Sequence, residues 1–138
     1  MKRKATAIWS GTGKDGLGYL RTESLVLDAT QFSFKSRFAD GKGTNPEELL
    51  AASHASCFTM KLSFVIQEKG FVPEKIETTA VVTMDQGSIT RSHLIVDAKV
   101  VGLSDEIFAT SVIEAKDNCP ISKVLNTQIT LESTLVNA

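Results

Sequence analysis

The chain has 138 residues, a length suited to one domain, and its 42% hydrophobic and 22% charged residues exclude disorder as its main state. The formal net charge of -1 lacks the basic excess of nucleic-acid-binding proteins, so we predict no nucleic-acid partner. The longest stretch without a charged residue has 12 residues, between Glu48 and Lys61. Because a membrane span needs roughly 18, we predict no membrane segment and a cytoplasmic location.

The first part of the chain predicts three strands before a long helix. Four glycines between residues 11 and 18 predict a loop after the first strand. In the third strand, phenylalanines alternate with Lys35 and Arg37, which predicts a buried aromatic face and places Arg37 on the opposite one. The three predicted strands cover residues 4–10, 20–27 and 32–38.

A long helix is predicted from Pro46 to Lys69. Thr44 and Glu47 have the spacing of a capping box, Asn45 before Pro46 offers a second start signal, and Gly70 follows as a stop. Apolar and small residues occur on every side of this helix, as expected for one buried in a core or a subunit interface. We therefore predict a homodimer with this helix in the interface.

The rest of the chain predicts a hairpin, two helices and a closing strand. Strands over 75–84 and 92–101 flank a turn, helices follow over 104–116 and 119–125, and a strand covers 127–136. Groups of strands separated by helices indicate an α+β fold. With no internal repeat and no linker, we predict a single domain over residues 1–138.

Cys57 and Cys119 are the only cysteines, too few for a disulfide scaffold but enough for a redox pair or part of a metal site. Taken alone, Cys57 among alanine and phenylalanine is most simply a small core residue. Two features favour a reactive thiol instead. Small residues over 51–56 leave room beside its sulfur, and Cys119 precedes Pro120 at a predicted helix start, where the helix dipole favours a thiolate.

Arg37 and Glu47 are the candidates for activating that thiol. An arginine beside a thiol stabilises the thiolate and lowers its pKa, and a glutamate can hold the guanidinium in a bidentate pair. Glu47 lies about 80° around the predicted helix from Cys57. A solvated surface pair is the commoner interpretation of one Arg and one Glu, and spacing alone does not separate the two.

The two histidines offer a different use for the cysteines. His54 shares a helix face with Cys57, and together with His93 and Cys119 these residues could compose a two-Cys, two-His metal site. Structural zinc sites usually bring closely spaced ligand pairs from short loops, whereas the two cysteines are 62 positions apart. We therefore interpret His54 as structural and predict no metal.

Three blocks of sequence together resemble a known family. They are Arg37-Phe38, residues 43–58 with the pattern Gly-Thr-Asn-Pro-Glu-Glu-Leu-Leu-Ala-Ala-x-His-Ala-x-Cys-Phe, and Cys119-Pro120-Ile121-Ser122-Lys123. They resemble the osmotically inducible protein C (OsmC) and organic hydroperoxide resistance family, over essentially the whole chain. The organic hydroperoxide resistance branch usually carries an aromatic residue where this chain has His54, so the OsmC branch is the more similar.

The resemblance implies an intertwined α+β homodimer, with antiparallel-rich sheets around long buried central helices and sites at the subunit interface. It implies a thiol-dependent peroxidase in which Cys57 is the peroxidatic cysteine and Cys119 the resolving one. Arg37 and Glu47 match the activating pair of the family. The resemblance implies neither a cofactor nor a metal.

The substrate and the reductant also follow from the resemblance. Organic hydroperoxides are preferred to hydrogen peroxide and are reduced to alcohols through a sulfenic acid and a disulfide, which a dithiol then reduces. Lipoylated proteins serve as that dithiol in parts of the family. Two other functions remain open at this point: a carrier of a small hydrophobic ligand, and a redox sensor without multiple turnover.

Overall fold

The computed structural model describes residues 1–136, which divide into a first compact unit, Met1–Leu49, and a second that begins at Leu50. The first unit starts with a three-stranded antiparallel sheet in the order β1-β2-β3. Gly18 of the middle strand pairs with Trp9 on one side and Phe32 on the other, and the rings of those two residues lie 5.4 Å apart. The strands are β1 (Ala5–Ser10), β2 (Leu17–Thr22) and β3 (Thr30–Phe32).

The strand predicted over residues 32–38 is wrong, because it ends at Phe32 and a short helix, α1 (Phe34–Phe38), follows. Ser33 and Ser36 form a reciprocal capping box: the Ser36 N–H donates to Ser33 Oγ over 3.2 Å, and the Ser33 N–H donates to Ser36 Oγ over 2.8 Å. These bonds give hydrogen-bond partners to backbone N–H groups that would otherwise be unpaired at the start of a helix. Arg37 therefore lies on a helix, and the predicted buried aromatic face does not form, since Phe34 and Phe38 are exposed.

The long helix, α2 (Pro46–Glu68), is present as predicted, and Asn45 caps its start. The Glu48 N–H donates to Asn45 Oδ1 over 2.8 Å, so the start signal predicted at Asn45 is confirmed. The N–H of Thr44, the first residue of the predicted capping box, donates to the carbonyl of Gln31. At the other end the N–H groups of Gly70 and Phe71 return to carbonyls of the last turn, and Gly70 has φ +90°. This is a Schellman ending, which favours glycine at that position.

The second unit contains a mixed three-stranded sheet and two further helices. Its strand order is β4-β5-β6, with β4 antiparallel and β6 parallel to the central β5. The predicted hairpin is confirmed, since β4 and β5 meet at an Asp85–Ser88 pair. These elements are β4 (Lys75–Asp85), β5 (Ser88–Lys99), α3 (Asp105–Asn118), α4 (Pro120–Val124) and β6 (Gln128–Leu135). Strands and helices in this order confirm the α+β class.

One side of α2 helps to form the core of the second unit. Phe58, Leu62 and Ile66 are fully buried there, together with residues of β5 and α3. Met60 and Phe64, in contrast, are 65% and 54% exposed, so only part of the predicted all-round burial is present within one chain. By length and composition alone α2 could cross a membrane, but core helices of water-soluble proteins meet the same criterion.

Candidate active site

The two cysteines lie side by side in the second unit. Cys57 is half-buried on α2, and Cys119 is fully buried at the junction of α3 and α4. Both are free thiols, and their side chains are near enough that Cys119 raises the pKa of Cys57. The structure thus brings together two sulfurs that are 62 positions apart in the sequence.

The position of Cys119 follows from the break between two helices. Its N–H donates to the carbonyl of Ala115 over 2.9 Å and ends α3, while its own carbonyl accepts from the N–H of Lys123 over 3.0 Å and starts α4. Pro120 stands at the first helical position, where its missing N–H costs no hydrogen bond. One residue therefore caps both helices, and its side chain is held in the core.

The pKa of Cys57 is shifted by its immediate surroundings. Burial raises the pKa most, and the hydrogen bond and charge of Cys119 raise it further, whereas a hydrogen bond from the backbone of Ile121 lowers it. The net effect is a pKa above the ordinary value. Near neutral pH these surroundings therefore hold Cys57 mainly as a neutral thiol.

Cys57 also lies in the wall of a cavity of about 560 Å³ in the second unit. Methyl, thioether and aromatic groups supply much of that wall, with one cationic side chain, Lys61, one helical turn after Cys57. The lining residues are Ser53, Ser56, Cys57, Met60, Lys61, Phe64, Asn118, Pro120 and Ile121. A space of this size and character suits a small, largely apolar molecule placed against the sulfur.

His54, one turn before Cys57 on α2, is fully buried and bound at both ring nitrogens. Its Nδ1 lies 2.7 Å from Ser92 Oγ on β5, and its Nε2 lies 2.8 Å from Ser122 Oγ on α4. Burial lowers the pKa of His54, so the ring stays neutral near pH 7. A serine hydroxyl can donate or accept, so both contacts are satisfied with either nitrogen protonated.

Among residues 1–136, no three His, Cys, Asp or Glu side chains are grouped so that they could hold a metal ion. Both nitrogens of His54 are occupied by serine hydroxyls. His93 is bound elsewhere, with Nδ1 2.6 Å from Thr130 Oγ1 and Nε2 3.2 Å from Glu132 Oε2. The four residues of the alternative metal site therefore do not form one cluster.

Arg37 and Glu47 form a bidentate ion pair within the first unit. Nη2 of Arg37 lies 2.7 Å from Oε1 of Glu47, and Nε lies 3.0 Å and 3.2 Å from the two carboxylate oxygens. The guanidinium also lies over the ring of Phe38, with Cζ 5.1 Å from its centroid. These contacts fix the plane of the guanidinium while leaving Nη1 outside the pair.

Polar contacts between α1 and the start of α2 place these two charges together. Ser36 Oγ donates to the carbonyl of Thr44 over 2.8 Å, and Asn45 Nδ2 donates to the carbonyl of Ser36 over 2.9 Å. The turn between the helices passes through Gly43, which has φ +98° and whose missing Cβ would collide with the backbone carbonyl of Gln31. The Arg37–Glu47 pair was a prediction from the sequence. The catalytic roles of Arg37, Glu47, Cys57 and Cys119 stay predictions.

Three contributors to the site were not singled out as functional by the sequence analysis. They are the backbone N–H of Ile121, the hydroxyl of Ser122 and the side chain of Lys61. Lys61 carried a signal, since it follows Cys57 by four positions on one helix and so shares its face. The roles of the Ile121 N–H and the Ser122 hydroxyl depend on how α4 packs, which no local sequence pattern predicts.

Comparison with known proteins places this arrangement in a family. The OsmC-like protein family model matches residues 39–134, which include Glu47, Cys57 and Cys119. The chain is 42% identical to peroxiredoxin OsmC of Escherichia coli over 134 residues, 94% of each protein. It is 30% identical over 124 residues to an organic hydroperoxide resistance protein-like protein of Staphylococcus aureus, covering 87% of this chain and 86% of that protein.

Solved structures show the same fold. The organic hydroperoxide resistance protein OhrB of Bacillus subtilis matches with a TM-score of 0.70 and 28% identity, over 95% of this chain and 98% of that one. An OsmC-like protein of Mycoplasma pneumoniae matches with a TM-score of 0.76 at 14% identity, over 99% and 98% of the two chains. Sequence, fold and paired thiols agree, and the chain belongs to the OsmC-like protein family.

Proposed function

We propose that this protein is a thiol-dependent peroxidase that reduces organic hydroperoxides to alcohols, and hydrogen peroxide more weakly. The observation that carries the proposal is the neighbouring pair of free thiols, Cys57 and Cys119, one of which lines a largely apolar cavity. Relatives named peroxiredoxin and organic hydroperoxide resistance protein support it. The largely apolar wall favours a substrate with an alkyl or aryl group.

The first step is attack by the Cys57 thiolate on the terminal oxygen of the hydroperoxide. An S–O bond forms as the O–O bond breaks, the sulfur loses two electrons, and the alkoxide takes a proton and leaves as an alcohol. Cys57 is then a sulfenic acid. Arginine or another donor near the leaving oxygen stabilises the negative charge that develops there.

The second step protects the oxidised sulfur. Cys119 attacks the sulfenic acid, water leaves, and a disulfide between the two cysteines forms. The two thiols are neighbours in the same unit, which favours this step over a second oxidation of Cys57. An external dithiol then restores both thiols by exchange, and lipoylated proteins are candidates for that role. Cytoplasm is the compartment we propose for this cycle.

Arg37 is the cation that we propose for the activation of Cys57. Within the second unit the pKa of Cys57 is raised, so an approaching guanidinium would have a large effect on the thiolate fraction. We propose that the protein is a homodimer and that the Arg37–Glu47 pair of one subunit faces Cys57 of the other. The exposed apolar side chains of Met60 and Phe64 on α2 support an interface at this helix.

Multiple turnover with cumene hydroperoxide and a small dithiol tests the proposed function. The wild-type protein should consume many equivalents of hydroperoxide and release cumyl alcohol, and Cys57→Ser should consume none above the background with dithiol alone. Serine differs from cysteine by one atom, so Cys57→Ser should leave the packing around residue 57 nearly unchanged. Full activity in Cys57→Ser would contradict the proposed function.

The cavity also fits a second candidate function, the carriage of a small hydrophobic ligand. A carrier would bind cumyl alcohol or a similar molecule without any loss of thiols when hydroperoxide is added. A redox sensor would lose its thiols once but would not turn over with dithiol. The same assay therefore separates all three functions.

A further inference from the structure

The α4 helix, which begins directly after Cys119, has few side-chain anchors of its own. The α4 helix has five residues, and none of them is fully buried. Ile121 packs partly against the core, and Ser122 makes a hydrogen bond to the buried ring of His54. These two side-chain contacts therefore add to the burial of Cys119 and to its backbone bonds with Ala115 and Lys123 in holding the start of α4.

His54 provides the polar attachment from the same helix that carries Cys57. His54 precedes Cys57 by three residues, and Ser122 follows Cys119 by three. The His54–Ser122 contact of 2.8 Å therefore joins the same two segments that carry the neighbouring thiols. On its other side the ring is held by Ser92 over 2.7 Å. A buried ring fixed at both nitrogens has little freedom to move.

We propose that His54 is a positioning residue that acts through Ser122 to hold Cys119 within reach of oxidised Cys57. The inference rests on the proposed peroxidase cycle and concerns its second step. At that step the sulfenic acid either condenses with Cys119 or meets another hydroperoxide and becomes a sulfinic acid. Faster condensation means less over-oxidation, so the ratio of the two products reports how well Cys119 is placed.

Ser122→Ala tests the proposal, with Ser92→Ala as the matched control. Both variants remove one hydroxyl from the same imidazole, but only Ser122 lies on the helix that begins after Cys119. The measurement is the ratio of sulfinic acid at Cys57 to the Cys57–Cys119 disulfide, determined by peptide mass spectrometry after a fixed excess of cumene hydroperoxide without dithiol. A product ratio is independent of the speed of the first oxidation.

We expect Ser122→Ala to raise that ratio about fivefold, the change in population that losing one ordinary hydrogen bond allows. Ser92→Ala keeps the contact between His54 and Ser122 and should therefore raise the ratio less than Ser122→Ala does. Ser122→Thr, which retains the hydroxyl, should restore the wild-type ratio. Equal ratios in the two alanine variants, raised or not, would overturn the proposal. A wild-type protein that forms neither product would instead contradict the peroxidase function, so the two failures are distinguishable.

Discussion

At the scale of single residues, the reactivity of Cys57 depends on which groups surround its sulfur. Burial and Cys119 raise the pKa of Cys57, and the backbone of Ile121 lowers it. A raised pKa means that the thiolate fraction is small at neutral pH and grows as the pH increases through the pKa. The rate of any reaction of this thiol should therefore rise with pH over that range.

Cys119→Ala should lower the pKa of Cys57, because it removes a hydrogen bond and a charge that both raise it. The midpoint of the pH profile for alkylation by iodoacetamide should move to lower pH. Cys57 is then the only thiol in the chain, so the profile belongs to one residue. Cys119→Ser, which keeps a hydrogen-bonding group, should give a smaller shift, and a midpoint that stays in place or rises after Cys119→Ala would contradict the assignment.

Residue patterns predicted some contacts of the site and not others. Arg37 and Glu47 could be paired from the sequence because their charges are opposite and the predicted strand and helix are adjacent along the chain. The contact between His54 and Ser122 joins residues 68 positions apart. It depends on how α4 packs on α2, which hydrophobic periodicity does not encode.

At the scale of elements, the long helix was predicted accurately because its end signals are local. Asn45 caps the first turn, and Gly70 ends the helix in a left-handed conformation. The short helix α1 was missed, since five residues are too few to show a 3.6-residue period. The alternation of phenylalanines is typical of a strand and led to the wrong prediction. The Ser33–Ser36 capping box is the local feature that stabilises the helix instead.

Gly70→Ala tests the ending of α2. A Cβ at Gly70 would meet no atom within 4 Å, so its cost arises from the backbone, which has φ +90°. We expect the free energy of unfolding to fall by about 1 kcal/mol, the cost of a left-handed conformation for alanine. Urea unfolding followed by circular dichroism measures the change.

Gly13→Ala is the control for that measurement. A Cβ at Gly13 also meets no atom within 4 Å, but the backbone there is outside the left-handed region. Its unfolding free energy should stay within about 0.5 kcal/mol of wild type. Equal losses in the two variants would show that the conformation of Gly70 is not the cause.

At the scale of the whole molecule, our proposal requires two chains. The largely apolar helix α2 exposes Met60 and Phe64 in a single chain, and exposed apolar groups on this scale are typical of interfaces. The sequence predicted this from the absence of a polar face on the helix. Where the partner chain lies could not be predicted, since apolar composition identifies an interface but not its geometry.

A mixed dimer tests whether the two chains share a site. Cys57→Ser and Arg37→Ala chains with different tags are co-expressed, and dimers that carry both tags are purified. If Arg37 acts on the Cys57 of its partner, each mixed dimer has one intact site and about half of the wild-type peroxidase activity. If Arg37 acts within its own chain, the mixed dimer should be no more active than the average of the two parent variants.

In the proposed cycle, Cys57 and Cys119 act as one redox pair on a hydroperoxide. Titrating the free thiols after adding one equivalent of cumene hydroperoxide per chain, with peptide mapping of the product, tests it most directly. We expect both thiols to disappear together, one Cys57–Cys119 disulfide to form, and one equivalent of cumyl alcohol to be released. Two intact thiols, or a disulfide only between Cys57 residues of different chains, would contradict it.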